Sequence, residues 1–440
     1  MSSTTAPTAP AAAATRVAAT TATPAAPAAV TAPSSPSAPA PKGTSAPGRE
    51  RAPGQVPVIW LALLAAPVAA GANAPVLILP DMARSLGVGT ATATWMVTAF
   101  AWGMAAGTPL LAALLRRYGF QPLLRLSTAL VLGGTALVAV APWLPVALAG
   151  RVAQSLGGAG LVAAAMNLAG NARRMGVISS GFGVLGAAGP LLGATLTDAV
   201  SWRPAFGVSA VAVLAVPVVA RYTRGTKPGG GGFDARGAAL LIALATSLIL
   251  LPTAPLAALV GALLTGALLA LHIRRRPEGF VSVQLLRSPL FLISAVLGGA
   301  LSTTYFTLLF TVPSLLRDRA DWSKGAIGTG QLVTLLTASA LSWLLAANAA
   351  RMGRAAVRGV LVTVAAAAIL TAVFATSGPL LLLAAGATAF TATGANATLS
   401  IHAATATTDT QRPTAIGLFA LSYQLGGAFG PGIATLLVLG

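Results

Sequence analysis

The stretch Val56-Pro-Val-Ile-Trp-Leu-Ala-Leu-Leu-Ala-Ala-Pro-Val-Ala-Ala-Gly-Ala-Asn-Ala-Pro-Val-Leu-Ile-Leu79 runs for 24 residues without one charge. Coiled as a helix at about 1.5 Å per residue, it crosses roughly 30 Å of hydrocarbon. Twelve further apolar segments follow, near residues 95–115, 126–143, 146–170, 177–197, 205–220, 237–251, 255–272, 288–312, 325–347, 359–376, 379–402 and 415–439. The pattern predicts an all-α polytopic membrane protein with about 13 transmembrane helices. Proline pairs at 142–145 and 252–255 mark tight turns between successive helices.

Composition agrees. Of 440 residues, 56% are apolar and 8% charged, against about 25% charged in soluble domains. That excludes a soluble enzyme, a coiled coil and a nucleic-acid binder. There is no cysteine, hence no disulfide, thiolate nucleophile or iron–sulfur centre. No Gly-rich lysine loop or paired-histidine metal motif is present, so the sequence implies no catalytic residue, cofactor or metal. Residues 1–55 are almost wholly Ala, Pro, Thr and Ser, which predicts a disordered cytoplasmic tail.

The net charge of +19 has a topological use. With the N-terminus inside, 21 basic residues fall in the tail and cytoplasmic loops, 5 fall outside (Arg84, Arg203, Arg317, Arg319, Lys324), and Arg151 lies in a span. A missed helix would invert every later loop, so this split supports the span count. It predicts a multi-pass protein of the inner (plasma) membrane with a cytoplasmic N-terminus.

Two signals recur. Arg117-Tyr-Gly119 follows the second span and Arg351-Met-Gly353-Arg354 the tenth, 234 residues later. Gly189-Pro190 lies in the fifth span and Gly430-Pro431 in the thirteenth, 241 residues later. Matching offsets at matching topological places indicate a duplicated bundle. The predicted domains are the tail at 1–55, an N-terminal six-helix bundle at 56–220, a linker with an extra helix hairpin at 221–287, and a five-helix C-terminal bundle at 288–440.

Gly181-Phe-Gly-Val-Leu-Gly186-Ala-Ala-Gly189-Pro190-Leu-Leu-Gly193, Ser201-Trp-Arg-Pro-Ala-Phe206 and Ala149-Gly-Arg151-Val-Ala-Gln154-Ser-Leu-Gly-Gly158 together resemble the major facilitator superfamily, in its fourteen-helix drug:proton antiporter branch. The resemblance covers nearly all of 56–440 and accounts for the central hairpin, while the last helix of that plan has no counterpart in the 440 residues. It implies secondary transport by alternating access, driven by the proton gradient. It also implies coupling or gating roles for Arg151, Gln154, Gly186, Gly189, Pro190 and Gly193. Arg117, Gly119, Arg351 and Gly353 then correspond to the family's cytoplasmic loop motif. The chain departs from the family at Gly71, where an aspartate is expected, and at Ala112, Arg116, Phe120 and Gln121.

All eight acids fall in the tail, in loops or at span ends. A cationic substrate would lack a counter-charge in mid-membrane, so a neutral or anionic one fits better. Asp81 and Asp198 read as loop acids within reach of the outer rim. Arg151, unable to reach water from mid-span, should face the bundle interior with a partner; near the outer interface it would instead snorkel. The glycines around Pro190 read as a hinge or seal, or as ordinary close helix packing. Polar and aromatic residues at mid-span, Asn73, Trp102, Tyr305, Gln331, Asn396 and Gln424, are the candidate substrate contacts. His272 reads as an interface residue and His402 as a group that titrates near neutral pH. The expected partners are a small molecule, lipid and protons, with a monomeric protein. The expected function is export of a small hydrophobic compound, drug or antibiotic-like; a non-transporting sensor or a polytopic membrane enzyme is the alternative.

Overall fold

The structure, a computed structural model, describes residues 55–439 apart from 171, 226–233, 252–253, 277–280, 282 and 408–411. The predicted tail up to residue 54, most of the glycine linker, and Glu50, Glu278 and Asp409 lie outside the described residues.

Every predicted span falls on a helix, and no strand occurs among the described residues. The first half comprises α1 (Val58–Leu77), α2 (Trp95–Tyr118), α3 (Phe120–Val140), α4 (Leu144–Ala169), α5 (Ala172–Ala199) and α6 (Trp202–Tyr222). The extra hairpin is α7 (Ala235–Ile249) and α8 (Pro255–Arg275). In the second half, α9 is Pro289–Ala320, α12 is Gly378–Ala404 and α13 is Arg412–Ala434. Between them, residues 324–374 form one hydrogen-bonded helix bent at Gly353, which gives α10 (324–352) and α11 (354–374). Counting 324–374 once, ten helices among the described residues are long and apolar enough to cross a membrane; α7 is shorter.

The recurring loop signal has a backbone reason. Gly119 sits at φ 82°, ψ −173° and Gly353 at φ 79°, ψ 160°. Both conformations are ones that only glycine adopts readily, and each reverses the chain between two spans without a loop. This corrects the boundary of α3, which starts at Phe120 rather than at 126. Likewise α9 continues past 312 to Ala320, because Leu315 and Leu316 keep its apolar face buried, and Asp321 (φ 52°) ends it.

The two halves pack alike. Helix α1 lies on α5 and α3 on α4; in the second half α9 lies on α13 and α11 on α12. In both halves the glycine of the Gly-Pro pair lies in close contact with a neighbouring helix. A Cβ on Gly189 would stand 2.7 Å from the Ala70 carbonyl oxygen, and one on Gly430 2.8 Å from the Thr307 nitrogen. Backbone-to-backbone contact of this kind is how helices associate in lipid, where the hydrophobic effect supplies no attraction between them. The extra hairpin leans on α2 and α13; its α7 starts at Asp234, whose carboxylate accepts from the Gly237 nitrogen at 2.9 Å.

Loops alternate between two ends of the bundle, a near end where the described chain begins and a far end. At the far end Arg203 reaches Ser85 and the Ala141 carbonyl, and Arg319 reaches the Ala375 carbonyl. At the near end Arg174 reaches Gln55 and the Val56 carbonyl, and Gln121 reaches Ala220 and Thr223.

Candidate functional site

The two halves meet where α2 lies against α13 and α5 against α10. How they meet differs between the ends. At the far end a single apolar core joins both halves, from Val76, Ile78, Met82, Met96 and Phe206 to Leu309, Phe310, Leu316, Leu335 and Leu381. At the near end the cores are separate: Leu61, Leu64, Leu123 and Ile178 belong to one, and Phe291, Leu361, Leu399 and Phe419 to the other. The far end is therefore the sealed side.

Charge reinforces the seal. Lys324, first residue of α10, donates to Asp81 beyond α1 at 3.0 Å and to Asp198 at the end of α5 at 2.8 Å. Asp81 also pairs with Arg84. A single second-half lysine thus ties two first-half carboxylates. Sequence reading placed these acids at a rim but missed Lys324, because nothing local in 317–324 shows which loop lies opposite.

Just inside this seal is an uncharged polar patch shared by both halves. Asn73, 9% exposed, donates from Nδ2 to the Gly186 carbonyl at 2.9 Å. Gly186 and Gly189 make room for it, since a Cβ on either would touch the Asn73 side chain. Across the seam the Tyr305 hydroxyl approaches Asn73, and within the second half Tyr423 of α13 approaches Ser302 of α9. The ring of Phe306 lies tilted at 58° beside that of Tyr305, centroids 4.8 Å apart. The predicted gating glycines and two predicted contacts, Asn73 and Tyr305, are thus one structure; Tyr423, Ser302 and Phe306 escaped sequence reasoning.

Arg151 is fully buried. Its guanidinium donates to the Met96 carbonyl (3.2 Å), the Gly71 carbonyl (3.3 Å) and Gln154 Oε1 (3.0 Å). It lies over the rings of Phe100 and Phe206, at 4.3 and 4.5 Å from their centroids. Gln154 in turn donates to Thr135 and to the Phe206 carbonyl. The residue does face the interior, but its partners are carbonyls, an amide and two π faces, with no carboxylate. It does not snorkel. Together Arg151 and Gln154 tie α1, α2, α3, α4 and α6, all within the first half. A side chain at Gly71 would overlap the Ser209 hydroxyl of α6 and stand 3.0 Å from its Cβ, so anything larger than glycine requires Ser209 to shift.

The sequence profile of the Major Facilitator Superfamily matches residues 59–431. The chain belongs to the major facilitator superfamily. With ten helices long and apolar enough to cross a membrane among the described residues, it is accordingly a multi-pass membrane protein of that superfamily. A chloramphenicol resistance protein of Streptomyces lividans is 33% identical over 201 residues, which is 44% of this chain and 50% of that protein. The MFS transporter L2 of a Phoma species is 32% identical over 138 residues, covering 30% of this chain and 23% of the relative. The chain thus spans half or less of the length of these relatives. Among solved structures, the human organic anion transporter MFSD10 (TETRAN) superposes with a TM-score of 0.60 at 18% identity, over 88% of this chain and 93% of that one. A peptide transporter POT bound to sulfate gives 0.61 at 15% identity, over 88% and 89%. These two share the fold.

The remaining predicted residues of this major facilitator protein are not gathered at the seam. Trp102 is directed at the extra hairpin, donating to Thr246 of α7 at 2.8 Å. Asn396 is exposed on α12. Gln331 is buried in the second half, donating to the Leu309 carbonyl at 3.3 Å, while its Oε1 has no partner. Gln424 is half-buried on α13. Mid-span position fixes depth but not the face of the helix, and these four fall on different faces. Arg117 and Arg351 are exposed at the near end; Gly119 and Gly353 act through their backbone. His272, in the last turn of α8, meets the carboxylate of Asp234 at 2.9 Å.

Proposed function

We propose that the protein exports small, uncharged hydrophobic compounds, drug- or antibiotic-like, across the plasma membrane by alternating access. Its N-terminus is cytoplasmic in this reading, as the 21-to-5 distribution of basic residues indicates. The far end is then the outer one, closed by the shared core, and the near ends, which keep separate cores, form the cytoplasmic side from which the compound loads. The observation that carries the substrate class is the seam patch of Asn73, Tyr305, Tyr423 and Ser302, which offers hydrogen bonds and aromatic surface but no ion. A cation entering it would lose its hydration with no counter-charge to replace it. The relative named for chloramphenicol resistance supports a drug as the class exported. The two halves then rock about this patch, and rocking outward must break both Lys324 ion pairs and part the shared far-end core. The proton gradient is the driving force by family resemblance; Asp81 and Asp198 are the acids placed at the moving seam.

The test is export from cells lacking their own efflux pumps, using matched uncharged and cationic probes. Export of the uncharged probe is expected, reduced at least several-fold by Tyr305→Phe with Asn73→Ala and abolished by a protonophore. Equal export of both probes, indifferent to those substitutions, refutes the substrate assignment. Export that survives the protonophore refutes the coupling.

A further inference from the structure

The two halves differ at the near-end turn that otherwise repeats so closely. Counting the 234-residue offset back from Arg354 and Arg358 leads to Phe120 and Leu124. Leu124 is buried in the first-half core and Phe120 packs against it. In the second half the same two places carry arginines. They lie four residues apart at the start of α11, so their side chains share a face.

Opposite that face is His402. Val357 and Leu361 of α11 are buried in one core with Leu399 and Ala403 of α12, which sets the end of α12 beside the start of α11. The charges of Arg358 and Arg354 both reach the His402 ring. Two nitrogens of this cluster, Arg358 Nε and His402 Nδ1, are buried without a hydrogen-bond partner. None of the ion pairs among the described residues involves Arg354, Arg358 or His402. Buried nitrogens left unpaired beside converging cations are rare in folded proteins unless an acceptor completes them.

We propose that Arg354, Arg358 and His402 bind a phosphate group, carried by an anionic lipid headgroup of the adjacent leaflet. Three properties of the cluster fit that ligand. A guanidinium presents a planar donor fork that matches phosphate oxygens. The imidazole adds a third donor from a second helix, which a phosphate with several acceptor oxygens can accept together. The cluster also lies at the depth of the headgroups, at the end of the bundle that carries most of the basic residues, where anionic lipids concentrate. Such a lipid would clamp α11 to α12, the helix pair whose first-half counterpart is held there by apolar contact.

The experiment uses the purified full chain in detergent, following thermal unfolding during titration with phosphatidylglycerol, phosphatidylcholine or inorganic phosphate at constant ionic strength. Phosphatidylglycerol is expected to raise the midpoint by several degrees and phosphatidylcholine to leave it in place. Arg358→Gln and His402→Gln should each remove most of that rise, whereas Arg317→Gln, at the opposite end, should retain it. If inorganic phosphate alone reproduces the full rise, the site stands but the free ion is its ligand, and the lipid assignment fails. A rise of equal size in wild type and in both near-end variants, or no rise at all, overturns the proposal. Using two variants guards against misfolding of either one. The readout involves no transport, so failure here leaves the export reading untouched, and the reverse holds too.

Discussion

Gly189 and Gly181 lie in one glycine-rich stretch of α5, yet alanine should have opposite effects at the two positions. A Cβ on Gly181 would meet only the Ala66 and Ala62 methyl carbons, at 3.6 and 3.7 Å, which is ordinary contact. Alanine there removes a helix-interior glycine and is expected to stabilise by about 0.5–1 kcal/mol. A Cβ on Gly189 would stand 2.7 Å from the Ala70 carbonyl oxygen and 2.8 Å from the Asn73 Cβ. The first neighbour is helix backbone and cannot rotate away, so α1 and α5 must part by about 0.5 Å. Overpacking of that kind costs about 1–3 kcal/mol, against roughly 1 kcal/mol gained in helix propensity. The net expectation is a loss of about 1 kcal/mol, within a range of about 0–2. The same displacement stretches the 2.9 Å Asn73–Gly186 hydrogen bond, so export should fall along with stability. Thermal unfolding of the purified variants, paired with export of an uncharged probe, measures both. A Gly189→Ala protein as stable as wild type, or a Gly181→Ala protein as damaged as Gly189→Ala, refutes the close-packing argument. If Gly181→Ala keeps its stability but loses export, a hinge role for that glycine is the better account.

Three further outcomes follow from the same geometry. Lys324→Gln removes both Lys324 ion pairs, each worth about 0.5–1 kcal/mol at this exposure, and should shift the seal towards opening by roughly five- to thirtyfold; because the chain has no native cysteine, a Ser314→Cys reporter labelled by an impermeant thiol reagent reads this directly, and unchanged labelling counts against the latch. Arg151→Lys keeps the charge but cannot reproduce three carbonyl and amide bonds and two ring contacts, so a loss of about 2–4 kcal/mol is expected, visible as a lower unfolding midpoint. Trp102→Phe breaks only the bond to Thr246 and should cost about 1 kcal/mol with export intact; a loss of export would return Trp102 to the substrate path.

The sequence by itself placed the spans and their order, and showed the loop signal that recurs at Gly119 and Gly353. Those features are local: hydropathy over about 20 residues places a span, and a positive φ demands glycine wherever the chain must turn at once. It also narrowed Arg151 to burial with partners or snorkelling, and the glycines around Pro190 to a hinge or close packing; the tertiary structure decided for burial of Arg151 and shows close contact at Gly189. Which residues share a cavity was not legible. Asn73 and Asn396 look equivalent along the chain, yet one lies 9% exposed against α5 and the other faces outward on α12. A helix with little amphipathicity, apolar on every side because lipid and protein are alike to it, gives no periodic signal of which face meets a neighbour. Only the tertiary structure decided that Lys324 meets Asp81 and Asp198, that the far ends share one core while the near ends keep two, and that Arg354 and Arg358 stand beside His402. Each of these joins residues from separate helices, and such pairings are set by how the helices pack, which spacing along one chain does not encode.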